Sequence, residues 1–282
     1  MSSESNGRKP DSQEPGRLSG FSTRSSARAP SPWGAVRDAL ASLHNLDALL
    51  RSTNVLYRTI RDLLPELRTS AGVLREIFER AQASGDEVIV AVGDQGASRI
   101  QDLEKLLDAT AMAEDERDDL AKRARHLADE LEAAADLLAL IERSAEPVTT
   151  DVSLHLVVRE TARLVGGNKG REVAAHLDTT EPDANMHADP LVLGELLTLL
   201  VGHVATASGS DVVIRARVCT GGGGLITVEP ATPEDAALER TTLRVLPTLR
   251  ATIRASRRVA QQIGTTLEVE PRRAVLRLPP PS

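Results

Sequence analysis

From Val36 to Ala81 apolar residues return every three or four positions: Val36, Ala39, Leu43, Leu46, Leu50, Thr53, Tyr57, Ile60, Leu64, Leu67, Ala71, Leu74, Phe78 and Ala81. A heptad seam held for that long predicts a long helix that packs as a coiled coil or in a bundle. Pro32 sits where the first helical turn would open. Pro65 falls one residue beyond a seam position, where it kinks the helix without ending its register. Ser84 to Gly96 carries Gly85, Gly93 and Gly96 around the run Val88-Ile89-Val90-Ala91-Val92, which suits a hairpin turn or a weak helix. A second helical stretch is predicted from Ala97 to Glu146, with its seam at Ile100, Leu103, Leu107, Leu120, Ala124, Leu127, Leu131, Ala134, Leu138 and Ile141. Its phase slips across the acidic segment Glu114 to Asp119, and Pro147 stops it.

After Pro147 the periods shorten. Ser153 to Val165 reads as an amphipathic helix, Glu172 to Leu177 as a strand, and Pro190 opens an apolar helix that runs to about Thr206. Asp211 to Val218 and Leu225 to Val228 alternate as strands around the turn Gly221 to Gly224. A helix over Pro233 to Ile263, interrupted near Pro247, and a last strand pair at Thr266 to Glu270 and Ala274 to Leu278 complete the pattern. The sum is a mixed sheet with helices on one face. Residues Met1 to Ser31 are Ser, Gly, Pro, Arg and Glu with little else, too polar to offset chain entropy, and are expected to be disordered.

Composition narrows the chemistry. The only aromatic residues are Phe21, Trp33, Tyr57 and Phe78, so cores must be built from Leu, Val, Ile and Ala, and base stacking on single-stranded nucleic acid is not expected. A net charge of −7 argues against a phosphate-backbone binder, so no nucleic-acid partner is expected. The lone Cys219 excludes intramolecular disulfides and multi-cysteine metal sites, and fits a reducing cytoplasm; no metal site is expected. No apolar run approaches the roughly 20 residues of a membrane helix, and the polar N-terminus lacks the apolar core of a secretory signal.

Four stretches carry a family resemblance. Ala188-Asp189-Pro190-Leu191-Val192-Leu193-Gly194-Glu195-Leu196-Leu197 opens the apolar helix, and His203-Val204-Ala205-Thr206-Ala207-Ser208 closes it. Ala255 to Glu270 reads ASRRVAQQIGTTLEVE, and Leu276-Arg277-Leu278-Pro279 ends the last strand. In order and spacing these resemble the C-terminal half of sensor histidine kinases, over about Ala97 to Pro279. The resemblance implies a long antiparallel helical hairpin, paired into a dimeric four-helix bundle, followed by an α/β sandwich of the histidine-kinase ATPase type. The expected divisions are a tail over 1–31, the helical part over 32–147 and the α/β part over 148–282.

The family's nucleotide-binding positions fall on other residue types. The two helix-borne Asn that hold Mg²⁺ and phosphate become Leu199 and His203; Leu has no oxygen for a hard cation, and imidazole replaces a carboxamide poorly. The adenine-reading Asp-x-Gly falls near Val228-Glu229-Pro230-Ala231, and the second glycine box at Arg250-Ala251-Thr252-Ile253. No glycine lies between Leu225 and Ile263, although close backbone approach to phosphate needs one. No cofactor is therefore expected at Leu199, His203, Glu229, Arg250 or Thr252.

Leu43-His44-Asn45-Leu46-Asp47-Ala48-Leu49-Leu50 resembles the family's phospho-accepting segment, with His44 just beyond a seam residue and pointing out of the core. A neutral imidazole nitrogen attacks phosphorus when an acceptor holds the other nitrogen. Asn45 stands where the family carries Asp or Glu to assist proton removal. With a turn at 84–96, His44 lies opposite Asp136. With a turn at 111–116, the accepting position falls near Val92 to Gln95, where there is no His, and His44 is an upstream coiled-coil residue. The resemblance implies a cytoplasmic, homodimeric partner of response regulators that lacks productive ATP binding and serves as phosphotransfer intermediate or docking scaffold. The alternatives are a divergent active kinase and a structural coiled-coil adaptor.

Overall fold

Among the described residues both seams are buried, but the chain folds them into more helices than the pattern alone predicts. The structure, a computed structural model, describes residues 32–52, 57–112, 116–169, 173–177, 185–208, 211–219, 223–231, 247–270 and 272–280. The tail expected over 1–31 lies outside the described residues. Four helices come first: α1 (Pro32–Arg51), α2 (Tyr57–Gln82), α3 (Glu87–Met112) and α4 (Arg117–Ser144). Side-chain pairs fix their directions. Trp33 Nε1 donates to Glu142 at 2.7 Å and His44 meets Glu132 at 3.1 Å, so α1 runs antiparallel to α4. Gln82–Asp94 and Arg68–Asp108, at 2.9 and 2.8 Å, set α2 antiparallel to α3, and Arg99–Glu130 at 2.9 Å sets α3 antiparallel to α4. With α1 also packed on α2, the helices close an up-down-up-down bundle.

The antiparallel hairpin expected from the sequence is present, and the four helices of the bundle come from one chain. Both turns that the pattern left open exist: the chain reverses between Gln82 and Glu87 and again between Met112 and Arg117. The long first helix is interrupted as well, ending at Arg51 and resuming at Tyr57, although the seam keeps its phase across the gap. The reason lies in the width of the apolar face. Leu40, Leu106, Ala121, Ala128, Ala135, Leu137 and Leu140 are buried beside the two seams. A stripe that wide cannot be covered by one partner helix, so the arms fold back and bury it between four.

Residues 87–96 are helix, the second of the two readings that this glycine-bearing segment left open. Gly93 and Gly96 face α2 instead of bending the chain. A Cβ at Gly93 would lie 2.7 Å from the Gln82 backbone nitrogen, and one at Gly96 would enter the ring of the fully buried Phe78. Asp86 starts α3, its Oδ1 accepting from the Val88 amide at 2.9 Å.

The α/β half follows α4: β1 (Thr150–Ser153), α5 (Leu154–Lys169), β2 (Val173–Leu177), β3 (Asn185–Ala188), α6 (Pro190–Ser208), β4 (Val212–Val218), β5 (Gly224–Pro230), α7 (Pro247–Gln262), β6 (Thr266–Glu270) and β7 (Arg273–Leu278). Five strands form one sheet in the order β2-β4-β5-β7-β6, with β2 parallel to β4 and the remaining pairs antiparallel. Alternate residues Val212, Ile214, Ala216, Ile226, Val228, Ala274 and Leu276 join the core shared with α5, α6 and α7. β1 and β3 form a separate antiparallel pair that the sequence pattern does not reveal. Both are four residues long, and their pairing joins segments far apart in sequence.

Asp189 locks the junction of the two halves. Its Oδ1 accepts from the Leu191 and Val192 amides at 3.0 and 3.1 Å, capping α6, while its Oδ2 accepts from the Val148 amide at 2.8 Å. α7 lies against α3 and α4, where Arg258 pairs with Asp86 at 2.6 Å and Gln262 hydrogen-bonds Ser144 at 2.6 Å. Arg143 pairs with Glu195 across the same junction. Among the described residues no helix is long and apolar enough to cross a membrane.

Candidate functional site

Leu43 turns into the bundle, 1% exposed, and this leaves His44 on the groove between α1 and α4. Its Nε2 lies 3.1 Å from a Glu132 carboxylate oxygen and its Nδ1 lies 4.0 Å from Asp129. At 3.1 Å the Nε2–H donates to Glu132, whereas 4.0 Å is beyond hydrogen-bond range. Asp129 and Glu132 stand three positions apart on one face of α4. Asp136, the residue the sequence register set opposite His44, is one turn further along α4. The Gln82–Asp94, Arg68–Asp108 and His44–Glu132 pairs keep one register, centred nearer the start of α3 than the midpoint of 84–96, and this moves the position opposite His44 from Asp136 to Glu132. Asn45 is exposed and Asp47 pairs with Arg51, so the acceptor for His44 comes from α4 and not from its own helix.

The positions that resemble a nucleotide site are distributed along α6, β5 and α7. Leu199 is half-buried and packed against the hydrophobic core. His203 is buried, 7% exposed, and its Nε2–H donates to the Glu270 carbonyl at 3.4 Å, while its Nδ1 has no partner. Burial holds the imidazole below its ordinary pKa, and the Glu270 carbonyl opposes that shift only in part. Glu229 is ion-paired with Arg215 at 2.6 Å and faces Arg273 at 3.9 Å, so its carboxylate is engaged across the strands. Thr252 is half-buried on α7; the side chain of Arg250 and all of residues 232–246 lie outside the described residues.

Sequence reasoning singled out His44 and missed Asp129 and Glu132. No motif ties a histidine to carboxylates so far along the chain; the signal available was the acidic i, i+3 pair on the outer face of a helix expected to pack beside α1. The fold brings these three together on α1 and α4, whereas the positions that resemble a nucleotide site lie on α6, β5 and α7.

No family model matches the sequence, and no curated protein matches it. Solved structures with a similar arrangement include the histidine kinase AdeS of Acinetobacter baumannii, at 12% identity over 64% of this chain and 94% of that one, with a TM-score of 0.46. ShkA in complex with AMPPNP is 17% identical over 76% of this chain and 45% of that one, with a TM-score of 0.43. The ATP-binding domain of PrrB from Mycobacterium tuberculosis is 21% identical over 48% of this chain and 98% of that one, with a TM-score of 0.34. Beside the quoted motifs, in their order on α6, α7, β6 and β7, stands a five-stranded sheet covered by helices on one face and reached directly from a helical bundle. In the order of these motifs along its elements, the chain resembles sensor histidine kinases.

Proposed function

We propose that the protein passes a phosphoryl group through His44 in two-component signalling, and that its α/β half does not bind ATP productively. The observation that carries the reading is the setting of His44: a partly exposed imidazole whose one nitrogen is held by Glu132 across the groove. With Nε2–H donated to that carboxylate, the Nδ1 lone pair is the nucleophile. In the transfer an Nδ1–P bond forms as the P–O bond of an aspartyl phosphate breaks and the aspartate carboxylate departs. The imidazolium so formed keeps its Nε2 proton on Glu132, whose charge stabilises it. The same carboxylates repel a bare phosphoryl anion, which favours a donor whose phosphate is already screened by a cation. A response-regulator domain charged on aspartate is the partner this chemistry suits.

Three contacts support the absence of productive ATP binding. Leu199 offers no oxygen to Mg²⁺, His203 is turned to a backbone carbonyl, and Glu229 is neutralised by two arginines. The test charges the protein with phosphoramidate, a small-molecule phosphodonor, in excess Mg²⁺ to screen its charge, and reads phosphohistidine by ³¹P NMR. A signal in the wild type that disappears in His44→Ala, with helicity unchanged, is expected, together with no thermal shift on adding Mg·ATP. Labelling that persists in His44→Ala overturns the phosphotransfer reading. Micromolar Mg·ATP affinity returns the protein to the active kinases.

A further inference from the structure

His44 of α1 and Asp129 and Glu132 of α4 bring one ring nitrogen and two carboxylate oxygens to within 4.8 Å of one another. Among the described residues no other group of His, Cys, Asp and Glu converges in this way. Two further observations separate this trio from an ordinary charged surface. Both ring nitrogens of His44 face carboxylates, Nε2 at 3.1 Å and Nδ1 at 4.0 Å, yet a neutral imidazole has one N–H to give. In the neutral ring one nitrogen therefore presents a lone pair toward an anion, an arrangement that either a second proton or a cation between them satisfies. Neighbouring carboxylates are neutralised by arginine, Asp47 by Arg51 and Glu130 by Arg99, whereas Asp129 and Glu132 have no arginine or lysine partner among the described residues. The side chains are 36%, 59% and 50% exposed, so an ion reaches them from solvent.

We propose that His44, Asp129 and Glu132 bind a divalent transition-metal ion of the zinc type, with solvent completing the coordination. The donor set selects the class. Imidazole with two carboxylates suits Zn²⁺, which takes nitrogen and oxygen at about 2.0–2.2 Å in a tetrahedron, whereas Ca²⁺ and Mg²⁺ prefer oxygen alone. Side-chain rotation on two exposed helix faces closes the remaining distance. The ion takes the imidazole lone pair that would otherwise attack phosphorus, so its binding switches off transfer through His44. That consequence rests on the phosphotransfer reading; the binding itself does not.

The test titrates the chelator-stripped full chain with Zn²⁺ by calorimetry and with Co²⁺ by visible absorption, where tetrahedral coordination gives intense bands. His44→Ala, Asp129→Asn and Glu132→Gln alter exposed side chains, and metal-free melting curves verify that each variant folds. His126→Ala serves as control: it is an exposed histidine one turn before Asp129, paired with Glu130 at 3.6 Å. A single saturable site is expected, weakened by at least about tenfold in each of the three variants, a loss that even outer-shell changes around metal ligands produce, and unchanged in His126→Ala. The proposal fails if no saturable binding occurs up to millimolar metal, if it survives His44→Ala, or if it falls in His126→Ala. Zinc binding without phosphoramidate labelling of His44 overturns only the switching role, and labelling without zinc binding overturns only the metal site.

Discussion

His203 shows how one side chain can be read for type but not for environment. Its sequence position says that an imidazole replaces a carboxamide; only the fold says that it is buried, with one nitrogen on the Glu270 carbonyl. Burial favours the neutral ring, so the folded pKa lies below that of the unfolded chain. Above the unfolded value of about 6.5 both states are neutral and the group has no effect; as pH falls through it, the unfolded chain takes up the proton first and stability is lost. The wild type should therefore lose thermal midpoint between about pH 7.5 and 5.5, a window set around that value, and His203→Gln should lose less. Equal losses in the two proteins would show that His203 is not the group responsible.

At the scale of the element, the glycines of α3 left turn and helix open in the sequence, and the packing on α2 decides for helix. Sequence alone weighs a glycine by its backbone freedom, whereas Gly96 is present because the Phe78 ring occupies the space of a side chain. Gly96→Ala gains up to about 1 kcal/mol of helix propensity, but forces a Cβ into a buried ring at an overpacking cost of about 1–3 kcal/mol. The expected net effect is destabilisation. Gly72, inside α2, has nothing within 4 Å of the place a Cβ would take, so Gly72→Ala should stabilise by up to about 1 kcal/mol. Urea denaturation of the two variants checks both signs; a stabilised Gly96→Ala would mean that α2 and α3 separate easily at this level.

At the scale of the whole molecule, the bundle takes all four helices from one chain, and the apolar residues that would mate with a second copy are already covered. Folding coupled to association makes the melting midpoint depend on protein concentration; folding within one chain does not. The thermal midpoint should stay constant over about a hundredfold range of concentration, since partner binding acts through RT ln of its concentration. A midpoint that rises with concentration would show that copies share the core, as the homodimer implied by the family resemblance requires. The α/β half is held to this bundle by α7 and by the Arg258–Asp86, Gln262–Ser144 and Arg143–Glu195 contacts, which place it at the end of the bundle where α2 turns into α3.

Periodicity by itself determined the seam positions of the helical half, because they follow from helix geometry and the hydrophobic effect whatever the partner helix is, but not the further residues buried beside them. Alternation and turn chemistry likewise determined the strands of the main sheet and the helix opened by Pro190. Tertiary structure decided what those faces pack against: that the seam doubles back into four helices, that β1 and β3 pair, and that His44 meets Asp129 and Glu132 instead of Asp136. Each of these depends on contacts between residues distant in sequence, and a local period carries no information on which distant face will cover it.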